Sequence, residues 1–90
     1  MMYPFLTLED NTEIVHSEMR EDGTVKVYIE TPDENYGFRH ASCIIPGYKW
    51  QDIYHYSDSD IRYLEKIIRS TSHLIIEFSQ EGGFDNAANF

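Results

Sequence analysis

The chain is short of basic residues, of cysteine and of long apolar runs, and each shortage removes a class of function. Only 7 Lys and Arg stand against 16 Asp and Glu, a formal net charge of −9. Affinity for phosphate backbones is built from clustered Lys and Arg, so direct nucleic acid binding is not expected. A lone Cys43 cannot close an internal disulfide, which makes a reducing cytoplasm the default location. No apolar run approaches the roughly 20 residues a membrane-spanning helix needs, and no charged-then-apolar leader opens the chain, so no membrane association is expected. There is no nucleotide-binding glycine loop, no complete metal motif and no catalytic signature, so a non-enzymatic protein without a cofactor is expected.

What is present suits one small domain. At 90 residues the chain can build a single core, and 41% hydrophobic with 14% aromatic content is globular rather than disordered. The charge is unevenly placed. Residues 1–35 hold 9 acids and 2 bases, whereas residues 36–56 hold 1 acid and 2 bases.

Near-alternation over Tyr3–Leu8 and Thr12–Met19, and a cleaner alternation over Thr24–Thr31, predict three strands joined by turns at Glu9-Asp10-Asn11 and Glu21-Asp22-Gly23. A three-residue second turn sets Met19 opposite Val25 and Val15 opposite Ile29, pairing apolar with apolar. Carried through the first turn, that register puts Phe5 across from Val15. The expected inner face is Phe5, Val15, Met19, Val25, Val27 and Ile29, with Leu6, Leu8 and Ile14 left on the other side. Tyr36–Ile45 reads as a fourth strand closed by Pro46-Gly47, and residues 46–56 as an aromatic connection lying over an edge of the sheet. Ser57-Asp58-Ser59-Asp60 is a helix start with Ser57 as N-cap, followed by an apolar stripe of Ile61, Leu64, Ile68, Ile75 and Phe78 with Glu65 and Arg69 paired outside. A competing reading breaks this helix at Ser70-Thr71-Ser72 and makes His73–Ser79 a strand. The expected fold is α+β: a four-stranded antiparallel meander over 3–45 with one long C-terminal helix over about 58–81 on one face. A tail follows over 82–90, with Gly82 or Gly83 as helix cap, Phe84 folded back on Phe78, and Phe90 free to pack on the sheet or enter a second subunit, which allows a homodimer.

Two sets of residues are candidates for partner binding. All three predicted turns carry an acidic pair, and in a meander the first and third lie at the same end, so Glu9, Asp10, Asp33 and Glu34 should share a rim. Such turns also occur simply because Asp is a good turn residue and acids keep small proteins soluble. The functional reading is a surface that seeks a basic protein face, or one that mimics nucleic-acid phosphates. The second set is aromatic: Tyr48, Trp50, Tyr54 and Tyr56, with Tyr36 nearby, in the locally neutral segment. Aromatics with polar tips favour interface centres, although such a segment can equally well pack the sheet. His40 and Cys43 form one H-x2-C pair, half of what structural zinc requires, and strand alternation puts them on opposite faces. No metal site is expected.

The runs "HLIIEFSQEGGFDNAANF", "LEDNTEIVHSE" and "VKVYIETPDE" resemble a family of small acidic hypothetical proteins of gut Firmicutes, some carried on mobile elements. The resemblance implies a bacterial, intracellular accessory protein, with no activity and no site residue attached. The expected function is a small acidic protein-interaction or regulatory module for a basic or aromatic-accepting protein surface. The alternative is a nucleic-acid-mimicking inhibitor of a DNA- or RNA-binding protein.

Overall fold

The computed structural model describes residues 1–81. The expectations for Gly82, Gly83, Phe84 and Phe90 lie outside those residues. The fold is α+β, with strands β1 (Met2–Thr7), β2 (Glu13–Ser17), β3 (Val25–Asp33), β4 (Gly37–Ile45) and β5 (Lys49–Tyr54) followed by one helix, α1 (Asp58–Gln80). The five strands form an antiparallel meander in sequence order, β1-β2-β3-β4-β5.

The fifth strand corrects the expected four. Lys49–Tyr54 does not lie over the sheet edge but extends the sheet, pairing Ile44 with Lys49, Cys43 with Trp50, Ser42 with Gln51 and His40 with Tyr54. Its period of two is hidden because a bulge between the last two pairs inserts an extra residue at Asp52, which takes a left-handed φ of 54°. The opposite edge strand, β1, carries Pro4 and a bulge between Pro4 and Leu6. Both edges are thereby made poor templates for pairing with another chain.

The register of β2 also differs from expectation. Ile14 pairs with Ile29, Val15 with Tyr28 and His16 with Val27, and Pro4 rather than Phe5 stands across from Val15. The inner face of β2 is therefore Ile14 and His16, both essentially without solvent exposure, while Val15 turns outward. The reason lies just before the turn. The three-residue loop Glu21-Asp22-Gly23 closes as expected, through Arg20 N to Thr24 O (2.8 Å) and Gly23 N to Arg20 O (2.9 Å), but Met19 leaves the ladder and donates its backbone N–H to Ser79 O of the helix (3.2 Å), so the pairing slips by one residue between Arg20 and His16. His16 sits inside with its Nδ1 2.8 Å from Ser17 O and its ring against Tyr3 and Phe5, while its buried Nε2 has no hydrogen-bond partner among the described residues. Phe5, Val25, Val27 and Ile29 line the helix side as expected, and the β1 bulge is what brings Phe5 there, 6.1 Å from the Phe78 ring.

The helix is continuous through Ser70-Thr71-Ser72, which excludes a strand over His73–Ser79. Thr71 sits within the apolar stripe and satisfies its hydroxyl by donating to Ile67 O (2.9 Å), so it interrupts the hydrophobicity without breaking the helix. Ser57 and Asp60 form the capping box, with Asp60 N to Ser57 Oγ at 3.1 Å and Ser57 N to Asp60 Oδ2 at 3.0 Å. Leu64, Ile68 and Ile75 bury against Val25, Val27, Ile29, Cys43 and Ile45. Each such side chain contributes about 1.5–3 kcal/mol of transfer free energy. One helix covers one face of a sheet. Among the described residues nothing packs on the other.

Candidate functional site

The expected acidic rim is partly spent inside the molecule. The first and third turns do converge on one end, where Arg39 reaches from β4. Asp33 Oδ1 accepts Asn35 N (2.8 Å) and Tyr36 N (3.2 Å) in its own turn, and its Oδ2 lies 3.2 Å from Arg39 Nε. Arg39 Nη1 is 3.5 Å from Asp60 Oδ2 at the helix start. These are ion pairs rather than aligned hydrogen bonds, since the buried Arg39 Nε finds no partner in hydrogen-bond geometry. Asp10 Oδ1 accepts Thr12 N (3.0 Å), and hydrogen bonding by Thr12 is the main cause that holds the Asp10 carboxyl below its ordinary range, with the Arg39 charge adding to it. Only Glu9 and Glu34 project freely, both exposed and without an ion pair among the described residues.

Behind the rim, Thr12 Oγ1, Thr31 Oγ1 and Tyr56 OH form a chain with spacings of 2.6 and 2.7 Å, and Tyr56 donates onward to Arg39 O (3.3 Å). Burial pushes the Tyr56 phenol up, against the opposing effects of Thr31 and Arg39. The adjoining cavity, lined by Asp10, Thr31, Arg39, Tyr56 and Asp60, measures about 50 Å³. That is room for a water or two and far below the several hundred Å³ of an organic ligand site.

The aromatic segment divides between two faces. Trp50 Nε1 donates to Glu65 Oε1 (2.8 Å), Arg69 Nε donates to Glu65 Oε2 (3.0 Å), and the Arg69 guanidinium lies 3.9 Å over the Tyr48 ring. Donation by Trp50 first, then by Arg69, holds the Glu65 carboxyl below its ordinary range. Tyr48 and Trp50 thus fasten β5 and its flank to the helix, while Tyr56 ties the end of β5 back to Thr31 and Arg39 of the sheet. Of the four expected contact aromatics, only Tyr54 faces away from it.

Tyr54 belongs to a different set, which sequence reasoning did not single out. On the face opposite the helix, Thr7, Glu13, Glu30, His40 and Tyr54 are successive partners across all five strands, and Pro4, Val15, Tyr28, Ser42 and Gln51 form the next such row. Rings on this face touch in sequence: Tyr28 to His40 at 6.0 Å, His40 to Tyr54 at 5.1 Å and nearly parallel (4°), Tyr54 edge-on to His55 at 4.5 Å, and His55 stacked on Tyr36 at 3.7 Å. Phe38, Tyr54 and Tyr36 are 51%, 56% and 58% exposed. Tyr28 donates to Glu30 Oε1 (3.0 Å), and burial together with that bond pushes its phenol up to about 12, so it remains a donor at neutral pH. Three non-glycine residues around β5, namely Tyr48, Asp52 and His55, hold left-handed φ values of 52°, 54° and 67°. Such conformations are uncommon and gather at functional sites. The signal in the sequence was the solvent-side half of each strand: Tyr28 and Glu30 between core positions of β3, Phe38 and His40 between those of β4.

Cys43 and His40 point to opposite faces, as alternation requires, and burial pushes the Cys43 thiol up to about 12, far from the thiolate a nucleophile needs. Among the described residues no group of three or more His, Cys, Asp or Glu could hold a metal ion. No described helix is long and apolar enough to cross a membrane. Comparison with protein-family models, with curated proteins and with solved structures finds no match in any of the three.

Proposed function

We propose that the chain is a small acidic, non-enzymatic protein-interaction module, and that its contact surface is the helix-free face of the sheet rather than the acidic rim. The observation that carries this reading is the run of touching rings from half-buried Tyr28 and His40 to exposed Tyr54, His55 and Tyr36, with exposed Phe38 beside it. Tyr and Phe are favoured at interface centres, and Tyr36, Phe38 and Tyr54 are each more than half exposed here. The nucleic-acid-mimic alternative draws on the rim, where two of the four carboxylates, Asp10 and Asp33, are already engaged by the chain itself.

The test is capture of a partner from source-cell extract by three proteins: the unaltered chain, a Phe38→Ala/Tyr54→Ala variant and a Glu9→Gln/Glu34→Gln variant. The outer-face variant should lose the captured protein while the rim variant keeps it. Loss confined to the rim variant, with capture that falls steeply as salt is raised, would favour the mimic reading instead.

A further inference from the structure

We propose that the row Glu13–Glu30–His40–Tyr54 on the open sheet face is an arginine-binding site. Its partner is a basic protein segment that sets a guanidinium against the exposed Tyr54 ring at the end of the Tyr28–His40–Tyr54 stack while donating to both carboxylates. This deepens the interaction reading above and rests on it, adding the chemistry of the occupant.

Three features converge on a cation from outside. First, Glu13 and Glu30 are direct cross-strand partners, and like charges in that position repel across roughly 5 Å. Neither has an ion pair among the described residues, and Glu30 has only the Tyr28 hydroxyl on one of its two oxygens. Second, the face supplies no compensating charge nearby. Its own cations, Lys26 and Lys49, stand in the row of Ile44, four residues along β3 from Glu30, about 13 Å at the strand rise of ~3.3 Å per residue. Arg39 is adjacent in sequence to His40 but turns to the inner side, held by Asp33 and Asp60. Third, the carboxylates are flanked by flat rings, with His40 the direct partner of both Glu30 and Tyr54.

A guanidinium is the group that uses all of this at once: it is planar, stacks on aromatic rings, and donates in parallel to carboxylate oxygens. An ammonium would gain the charge and forgo the stacking. Single-stranded nucleic acid could stack on the rings, but its phosphates would meet Glu13 and Glu30 with no clustered cations to hold them.

The test is an NMR titration of the isotope-labelled full-length protein with acetyl-Gly-Arg-Gly-Arg-Gly amide and with its lysine counterpart. The arginine peptide should shift the amides of Glu13, Glu30, His40 and Tyr54 and bind at least about fivefold more tightly than the lysine peptide. Glu30→Gln, which keeps the acceptor for Tyr28, should weaken binding about tenfold, the worth of one charge-assisted hydrogen bond. Tyr54→Ala, at an exposed position, should weaken it about threefold, and Glu9→Gln/Glu34→Gln less than about twofold. Equal affinity for the two peptides, or an equal loss in the rim variant, would overturn the proposal in favour of unspecific charge attraction. So would the same amides responding instead to oligouridine, to rising protein concentration without peptide, or to contacts from residues 82–90 of the chain itself. If capture from extract still depends on Phe38 and Tyr54 while the peptides bind alike, the interaction reading stands and the arginine assignment falls.

Discussion

Thr31→Val is the sharpest test of how the rim end is held together. Thr31 is 3% exposed, and its hydroxyl is the middle member of the chain from Thr12 Oγ1 (2.6 Å) to Tyr56 OH (2.7 Å). Valine has nearly the same shape and suits a strand, so the substitution deletes two hydrogen bonds while leaving packing and backbone propensity intact. At about 1 kcal/mol for each buried bond, with part of the cost arising from the partners left behind, the expected destabilisation is about 2 kcal/mol. For a domain of this size that lowers Tm by about 10 °C. Urea unfolding should show a lower midpoint at unchanged slope. Thr12→Val breaks one of the same bonds, so the double variant should cost less than the two singles summed, by about 1 kcal/mol, because the shared bond is counted twice. A loss below about 0.5 kcal/mol for Thr31→Val, or simple additivity in the cycle, would refute the idea that the hydroxyl chain is a coupled element.

Other consequences are as direct. The Asp10, Asp22 and Glu65 carboxyls are all held below their ordinary values of 3.8, 3.8 and 4.5, so they stabilise the fold above those values. That contribution should be lost as pH falls through about 4.5 and below, toward the depressed native values. Trp50→Phe removes the main hydrogen bond to Glu65, so it should cost about 1 kcal/mol at pH 7 and less at pH 3, giving a shallower acid limb in a Tm-versus-pH profile; a constant difference across that range would contradict the assignment. Cys43, buried and with its thiol up to about 12, should be inert to a thiol-directed disulfide reagent at pH 8 in the native protein and react fully in denaturant. Rapid native labelling would mean that the sheet–helix core opens readily.

The helix and four of the five strands were legible in the sequence because their signals are local. Ser57 and Asp60 sit at the spacing of a capping box, and Leu64, Ile68 and Ile75 repeat at helical intervals. β5 was not legible because a single left-handed residue, Asp52, resets its alternation between Gln51 and Tyr54. The β2 register failed for a non-local reason. Treating His16 as a solvent-side residue is sound until Ser17 O, Tyr3 and Phe5 are in place around it, and Met19 is drawn from the ladder by a helix carbonyl sixty residues away in sequence, Ser79 O. The rim was located by topology alone, but topology does not reveal that Arg39 points inward between Asp33 and Asp60. The aromatic segment reads as one patch in sequence. Its residues separate only when strand parity is known, which sends Trp50 toward Glu65 and Tyr54 to the open face.

That separation is the centre of the account: one set of rings holds the helix to the sheet, and another, on the opposite face, is the contact surface we propose for a partner. It is tested most directly by measuring Tm and partner capture together for Phe38→Ala/Tyr54→Ala. The account predicts a Tm within a few degrees of the unaltered chain, since both side chains are more than half exposed, together with loss of capture. Undiminished capture by a folded variant would contradict it.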